Sequence, residues 1–356
     1  MKKISTWLIY APTAASSRVR VLQYESILAS RGYQLRRYFL YNSIITERIL
    51  LGTKPSLFEY FVSFTIRAIE LIAFRRSEVE IVYRELLPFI PFAIERIFLK
   101  RKYILDLDDA FYLKYKDLPW PLSVALKDKH SMLIKNAACV TVGNEYLYDY
   151  ATDFSSSVSI IYSSASSPCI ESEVDEKEDD LKRPFVIGWI GSPSTQSYLE
   201  IVHHVIMELL DEYNMYFVVV GATMSKLPYE MTVNPRVSLL RWNKEEEAHV
   251  LRNISVGIMP LPDEEWARGK SGYKLIQYLS HGKPVVASPV GINAKIVSAD
   301  VGVLAKTKEE WKDALIRISS DHELYKRFAA AARKRFESTY SNTIAAEKLV
   351  HIISSL

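Results

Sequence analysis

The sequence predicts an α/β protein of two Rossmann-like units in tandem, and three observations carry that reading. Its 356 residues exceed the ~250–300 at which a single hydrophobic core stops growing. Short runs of β-branched and aromatic residues alternate with helical patterns over residues 5–161, and the alternation restarts at residue 185. Between them lie a Ser-Ser-Ala-Ser-Ser-Pro stretch at 163–168 and an acidic run at 171–180 that cannot bury itself and reads as a surface linker.

In the first half the patterns predict strands at 5–10, 34–39, 79–82, 103–107, 139–142 and 158–161. Helices are expected at 18–30 (stopped by Gly32), 56–74, 88–99, 122–136 and 145–151. In the second half strands are expected at 185–190, 216–220, 237–241, 256–259, 285–287 and 302–304, with helices at 199–210, 245–251 and 273–280. Helical patterns at 321–336 and 345–353 close the chain. The expected organisation is an N-terminal domain over 1–165, a linker over 166–183, a second domain over 184–335 and a terminal helix within 336–356. Two such units place a cleft between their strand C-termini.

Hydrophobic residues at 49% and charged residues at 24% are ordinary for a soluble globular chain. Cys139 and Cys169 form neither a disulfide framework nor a metal-ligand pattern, which fits a reducing, cytoplasmic setting. The opening Met1-Lys2-Lys3-Ile4 leads into an apolar run too brief for a signal peptide. Residues 1–105 hold 17 Lys/Arg against 8 Asp/Glu, and residues 106–356 hold 28 against 34. A basic first half suits an anionic membrane surface or a phosphorylated acceptor. The arginines are scattered and no nucleic-acid motif accompanies them, so nucleic acid is not an expected partner.

Two segments bear on a membrane. Residues 56–74 approach spanning length, but Glu59, Arg67 and Glu70 would each cost roughly 2.5–3.5 kcal/mol at bilayer depth, so a buried or interfacial helix is expected. Residues 88–103 set Phe89, Ile90, Phe92, Ile94, Ile97 and Phe98 beside Arg96, Lys100, Arg101 and Lys102. That pattern fits a core helix with a solvated basic end, or a helix lying flat on anionic lipid.

The chemistry concentrates at residues 256–291. A strand ends at Pro260, and a polar loop carries Arg268 and Lys270 into a helix that starts near Tyr273 and bears Lys274. Gly269 and Gly272 let backbone N–H groups approach a ligand closely. A helix N-terminus with cations beside it suits a diphosphate. Gly282-Lys283-Pro284 ends the helix and Val285-Val286-Ala287 returns as a strand.

This segment resembles the donor-binding signature of glycosyltransferase family 4. Further matches run in order along nearly the whole chain: Ser16-Ser17-Arg18-Val19-Arg20, Arg84-Glu85-Leu86-Leu87-Pro88, Asp106-Leu107-Asp108-Asp109-Ala110, Gly143-Asn144-Glu145 and Gly188-Trp189-Ile190-Gly191-Ser192. The resemblance implies a GT-B fold, two facing Rossmann-like domains with a C-terminal helix crossing back to the first. The first domain would bind the acceptor, and the second the nucleoside-diphosphate sugar. It implies a retaining hexosyl- or deoxyhexosyltransferase of bacterial surface polysaccharide or lipopolysaccharide synthesis, acting on a glycan or lipid-linked acceptor without a metal. The place implied is the cytoplasm, with peripheral contact at the inner membrane face. Gly191, Ser192, Gly269, Ser271, Gly272, Tyr273 and Gln277 would hold the donor. Arg268, Lys270 and Lys274 would stabilise charge on the departing diphosphate. Ser17, Arg18, Arg84, Glu85, Asp108, Asp109 and Asn144 would face the acceptor.

The chain departs from the family pattern at three places. Gln277 stands where a ribose-binding glutamate is usual, and an ungapped count puts the other motif glutamate at Gly269. After the second-domain glycine loop, Pro193-Ser194-Thr195-Gln196-Ser197-Tyr198 brings no cation. A catalytically inactive, sugar-nucleotide-binding or scaffolding relative is therefore the alternative reading. A Rossmann oxidoreductase is disfavoured, because Ala11-Pro12-Thr13-Ala14-Ala15-Ser16 follows the first strand in place of Gly-x-Gly-x-x-Gly.

Other polar residues keep several readings. Asp106, Asp108 and Asp109 suit an acceptor or structural role in the cleft, a purely structural one, or a divalent metal. Asn144 suits a helix N-cap or a cleft contact. Trp242 and Asn243, after a strand, suit a base pocket. His203 and His204 are adjacent, and no histidine pair has metal-ligand spacing.

Overall fold

The computed structural model describes residues 1–73, 77, 79–99, 102–167 and 184–356. The acidic run 171–180 and Cys169 lie outside them. The chain divides into two compact units, one formed by Met1–Ser164, Arg268–Ser271 and Asn342–Leu356, the other by Ala165–Ala267 and Gly272–Ser341.

The first unit holds a parallel six-stranded sheet of β1 (Lys2–Leu8), β2 (Tyr33–Phe39), β3 (Val79–Tyr83), β4 (Tyr103–Leu107), β5 (Cys139–Val142) and β6 (Val158–Ile160), ordered β2-β1-β3-β4-β5-β6. Every residue of β3 and β4 is buried, as expected of central parallel strands covered on both faces. The order reverses between β1 and β3, which puts the crevice of this sheet beyond their C-terminal ends. The helix Asn342–Ser355 joins this unit: Ala346, Leu349 and Ile353 share a core cluster with Ile4, Leu8 and Leu28.

The second unit repeats the plan with β7 (Phe185–Ile190), β8 (Met215–Val220), β9 (Val237–Leu240), β10 (Val256–Met259), β11 (Val285–Ala287) and β12 (Gly302–Leu304), ordered β12-β11-β10-β7-β8-β9. Its reversal falls between β7 and β10, so the loops after residues 190 and 259 flank the crevice. Trp189, Phe217, Ile258 and Trp311 are fully buried in its core. Two close contacts set the packing behind the crevice. Glycine at 257 leaves room for the Tyr278 ring, which an added Cβ would meet at 2.2 Å. Tyr278 Oη in turn accepts the Ile190 N–H at 3.0 Å.

Both expected Rossmann-like units and the terminal helix are present; several helices differ. The pattern at 18–30 is broken into Ala15–Arg20, a 3₁₀ turn at Leu22–Tyr24 and Glu25–Ser30, because Val21 leaves helical backbone at φ −138°. The helix expected over 88–99 shrinks to Phe92–Glu95. Pro91 opens it: proline cannot supply the interior N–H, and it drives the preceding residue out of the helical region. Residues 122–136 form two pieces, Leu122–Leu126 and Lys129–Asn136. The sequence reading missed Ser43–Leu50, capped by the Asn42 side chain, and Lys308–Ser320, opened by a Thr307/Glu310 capping box. Asn and Thr-x-x-Glu at those places were available signals.

Candidate functional site

In the first unit, the residues chosen from sequence gather beyond the β1 and β3 ends. Ser17 is buried and its Oγ donates to the Tyr10 carbonyl at 2.7 Å, while Arg18 donates to the Pro12 and Thr13 carbonyls at 3.0 and 2.8 Å. Both side chains thus shape the loop after β1. Arg84, just past β3, takes a left-handed backbone at φ +67°, a strained conformation for a residue with a side chain. Its guanidinium lies 3.4 Å from the Phe111 ring centre and reaches Asp108 Oδ1 at 3.2 Å through both Nε and Nη2.

The three aspartates have separate partners. Asp106 is buried in a two-point pair with Arg20, at 3.0 and 2.6 Å, and also accepts from Thr141 Oγ1 at 2.6 Å. Asp108 accepts from Tyr83 Oη at 2.6 Å as well as from Arg84. Asp109 faces Lys270 Nζ at 3.7 Å and Arg84 at 4.0 Å. Burial pushes the Asp109 carboxyl above the usual range, against the pull of Lys270. Each carboxylate so has a nearby protein cation, the opposite of the electron-rich cluster a divalent metal selects.

Asn144 is the N-cap of its helix and also ties a distant loop. Its Oδ1 accepts the Leu147 N–H at 2.8 Å as an N-cap, and its Nδ2 donates to the carbonyls of Gly269 and Lys270 at 2.9 and 2.8 Å. Ser271 Oγ donates to the Asp108 carbonyl. Any side chain at 269 would strike Ala110, at 2.6 Å from an added Cβ. Glu85 sits apart from this group: it is buried against Lys129 Nζ at 2.5 Å and Tyr115 Oη at 2.8 Å. Burial acts to raise its carboxyl, but the charges of Lys129 and His130 and the hydrogen bonds from Lys129 and Tyr115 together leave it lowered. Glu95, sharing Lys129 at 2.8 Å, is pushed up to about 7 by burial.

In the second unit, the loop after β7 meets the helix Tyr273–Ser280, whose N-cap Gly272 has φ +67°. Lys274 Nζ lies 4.1 Å from the Trp189 ring centre and donates to Thr195 Oγ1 at 3.0 Å. Lys274 therefore brings a cation to a loop whose own sequence has none. A Cβ on Gly191 would meet the Trp189 ring at 2.4 Å and Lys274 Nζ at 2.7 Å, so glycine there allows this approach. Ser192 Oγ is 2.9 Å from Ser194 Oγ in the same loop. Arg268 is exposed at the end of the short helix Glu265–Arg268, and Tyr273 is half-buried at the start of its helix.

Gln277 is buried and its Nε2 donates to Glu247 Oε1 at 2.8 Å. Trp242 Nε1 donates to the other oxygen of the same carboxylate at 2.5 Å. Glu247 is the polar residue that sequence reasoning missed, and it places a carboxylate beside the glutamine. Asn243 contributes its carbonyl to the first turn of the helix Lys244–Asn253, accepting from Glu247 N–H at 3.0 Å. Elsewhere in this unit, His203, His204 and Glu230 offer ligand atoms within 4.8 Å of one another, a proximity invisible in the sequence.

Comparison with known proteins fits this arrangement. Residues 184–321 match the family model described as "Glycosyl transferases group 1". None of the curated proteins matches the chain by sequence. Three solved structures share the whole architecture. Anabaena HepE in complex with UDP and glucose is 13% identical, with 100% of each chain covered and a TM-score of 0.70. Sucrose-phosphate synthase from Thermosynechococcus elongatus is 14% identical, covering 100% of this chain and 99% of that one at a TM-score of 0.71. A glycosyltransferase from Rickettsia africae is 12% identical, covering 99% and 97% at 0.65. At such identities the likeness is one of fold, and that fold, two Rossmann-like units with a C-terminal helix, is GT-B.

Proposed function

We propose that the chain is a retaining glycosyltransferase moving a sugar from a nucleoside-diphosphate sugar, with uridine as the favoured base, to a glycan or lipid-linked acceptor. The observation that carries this is Lys274, held over Trp189 and against Thr195 where the sheet order reverses. An ammonium beside the first turn of a helix is what a developing diphosphate charge requires. The group 1 match over 184–321 and the UDP held by HepE support the same reading.

In the reaction the bond from the anomeric carbon to the diphosphate breaks, and a bond to the acceptor oxygen forms on the same face. The acceptor proton passes to the departing phosphate. Lys274, with Lys270 and Arg268, would stabilise that phosphate in the role a metal ion plays elsewhere. Gly191, Ser192 and the amides of residues 269–273 would bind it, while Gln277 and Trp242 would meet the nucleoside. The acceptor would meet Arg84, Asp108, Asp109 and Asn144. We place the reaction at the cytoplasmic membrane face, in surface polysaccharide assembly.

A thermal-shift screen against UDP-, GDP-, ADP- and dTDP-sugars, followed by NMR of the product anomer, tests the reading. Selective stabilisation by a UDP-sugar with turnover and a retained anomer supports it. Nucleotide binding with neither transfer nor slow donor hydrolysis would favour the inactive relative that Gln277 raises.

A further inference from the structure

The helix Leu57–Ala73 packs on the sheet by one side and leaves a second apolar side uncovered. Its buried positions are Ser63, Arg67 and Leu71, Tyr60 and Phe64 pack on the cluster of Ile9, Leu40, Tyr41 and Ile45, and Arg67 donates to the Leu8 carbonyl at 2.6 Å. Its outward positions, at helical spacing, are Phe58, Phe61, Ile66, Ile69 and Ile72, all exposed; Phe58 is 73% and Ile72 69% open to solvent. Thr65 lies among them, and its hydroxyl is spent on the Phe61 carbonyl at 2.8 Å. Neither acidic group of the helix stands unpaired. Glu59 meets Arg48 at 2.5 Å, and Glu70 lies 3.5 Å from Arg67.

A contiguous apolar surface of this kind marks a docking site rather than a solvated face. The surroundings choose the occupant. Among the described residues, 17 of the 23 large hydrophobic side chains that are exposed belong to the first unit. The stretch 1–105 that supplies most of them holds 17 Lys/Arg against 8 Asp/Glu. Exposed Lys54 precedes the helix. A protein partner would need polar atoms at roughly one hydrogen bond per 100–200 Å², and this face presents almost none. Hydrocarbon needs no such pairing, and the basic excess suits anionic headgroups. No helix among the described residues is long and apolar enough to cross a membrane, so the contact is with its surface.

We infer that the outward face of Leu57–Ala73 is the surface by which the chain docks onto an anionic bilayer. The inference rests on the membrane contact proposed above and moves it from residues 88–103, where the expected long helix does not form. The helix lies in the plane of the interface with its phenylalanines and isoleucines below the headgroups, while Arg67 keeps it fixed to β1 through the Leu8 carbonyl.

The test is flotation of the full chain with phosphatidylcholine vesicles, with and without phosphatidylglycerol, alongside the variant Phe58→Ser/Phe61→Ser/Ile69→Ser. These side chains are exposed, so the variant should keep its melting temperature. The wild type should float with anionic vesicles and lose much of that binding at high salt, while the variant's bound fraction falls at least tenfold. UDP binding, measured on both proteins, should be equal. A variant that floats like the wild type overturns the inference and leaves membrane contact standing. A wild type that does not float overturns both. A wild-type dimer that the variant converts to a monomer would assign the face to a second copy of the chain and overturn the bilayer. Absence of UDP binding in both proteins bears on the proposed reaction alone.

Discussion

Replacing Lys274 by methionine is the sharpest perturbation of the proposed donor site. Methionine keeps the unbranched stem and a favourable sulfur contact with Trp189, so the change removes chiefly the charge. In the folded chain that charge makes a half-buried cation–π contact at 4.1 Å and a hydrogen bond to Thr195 at 3.0 Å. Together these contribute about 1–2.5 kcal/mol to stability. For units of this size that corresponds to roughly 2–10 °C in melting temperature. Catalysis should lose more. A single preorganised stabiliser of developing charge supplies about 2.7–4 kcal/mol, or roughly a 10²–10³-fold effect on turnover. The assay is the initial rate of UDP release from a UDP-sugar, with donor affinity measured separately by calorimetry. The expected result is a large fall in kcat with a smaller change in donor affinity. A variant that keeps kcat/KM within threefold of wild type would refute the role given to Lys274, whatever its melting temperature.

Three further outcomes follow from other parts of the structure. If the Glu247–Gln277 pair meets the nucleoside, Glu247→Gln should weaken UDP binding about tenfold by calorimetry, and adding Gln277→Glu should restore part of it, because a carboxylate returns to the same place. Arg20→Met should cost about 3–5 kcal/mol in chemical denaturation by stranding the buried Asp106 carboxylate; an Asp106→Asn partner change should recover some of that loss. Burial lowers His130 to about 4 from 6.5, so the unfolded chain binds a proton that the folded one refuses, and stability falls as pH drops from 6.5 toward 4. His130→Leu should abolish this share, about 2 kcal/mol at pH 5, seen as a smaller loss of melting temperature between pH 7.5 and 5 than in wild type.

The fold was legible because parallel strands buried on both faces must be apolar without interruption, as in β3 and β4. Helix ends were less so where a tertiary partner decides them. The break at Val21 follows an arginine, Arg20, that turns to Asp106 across 86 residues of chain. Pro91 is a visible local stop signal inside an apolar pattern that reads as one long helix. Within the donor region the loop and helix start could be read from glycines and lysines. The pairing of Lys274 with Thr195, 79 residues apart, and of Gln277 with Glu247, 30 apart, could not, since no spacing rule links them. The helix at 57–73 is apolar on nearly every side in sequence, so only the fold shows which face is left to solvent.

The three aspartates after β4 show how a fold separates residues that a motif makes look equivalent. Asp106 is enclosed, with both oxygens held by Arg20 and one also by Thr141. Asp108 is committed to Tyr83 and to Arg84, and its task is to hold Arg84 in its strained backbone against Phe111. Asp109 differs on each count. Its side chain is the most exposed of the three, at 21%, and Lys270 Nζ stands 3.7 Å away, beyond direct hydrogen-bond length. Its carboxyl is raised by burial, against the pull of Lys270. Of the three, we propose Asp109 for contact with an acceptor hydroxyl. Lys270, 3.7 Å away, has the position to keep that carboxylate charged when the hydroxyl arrives.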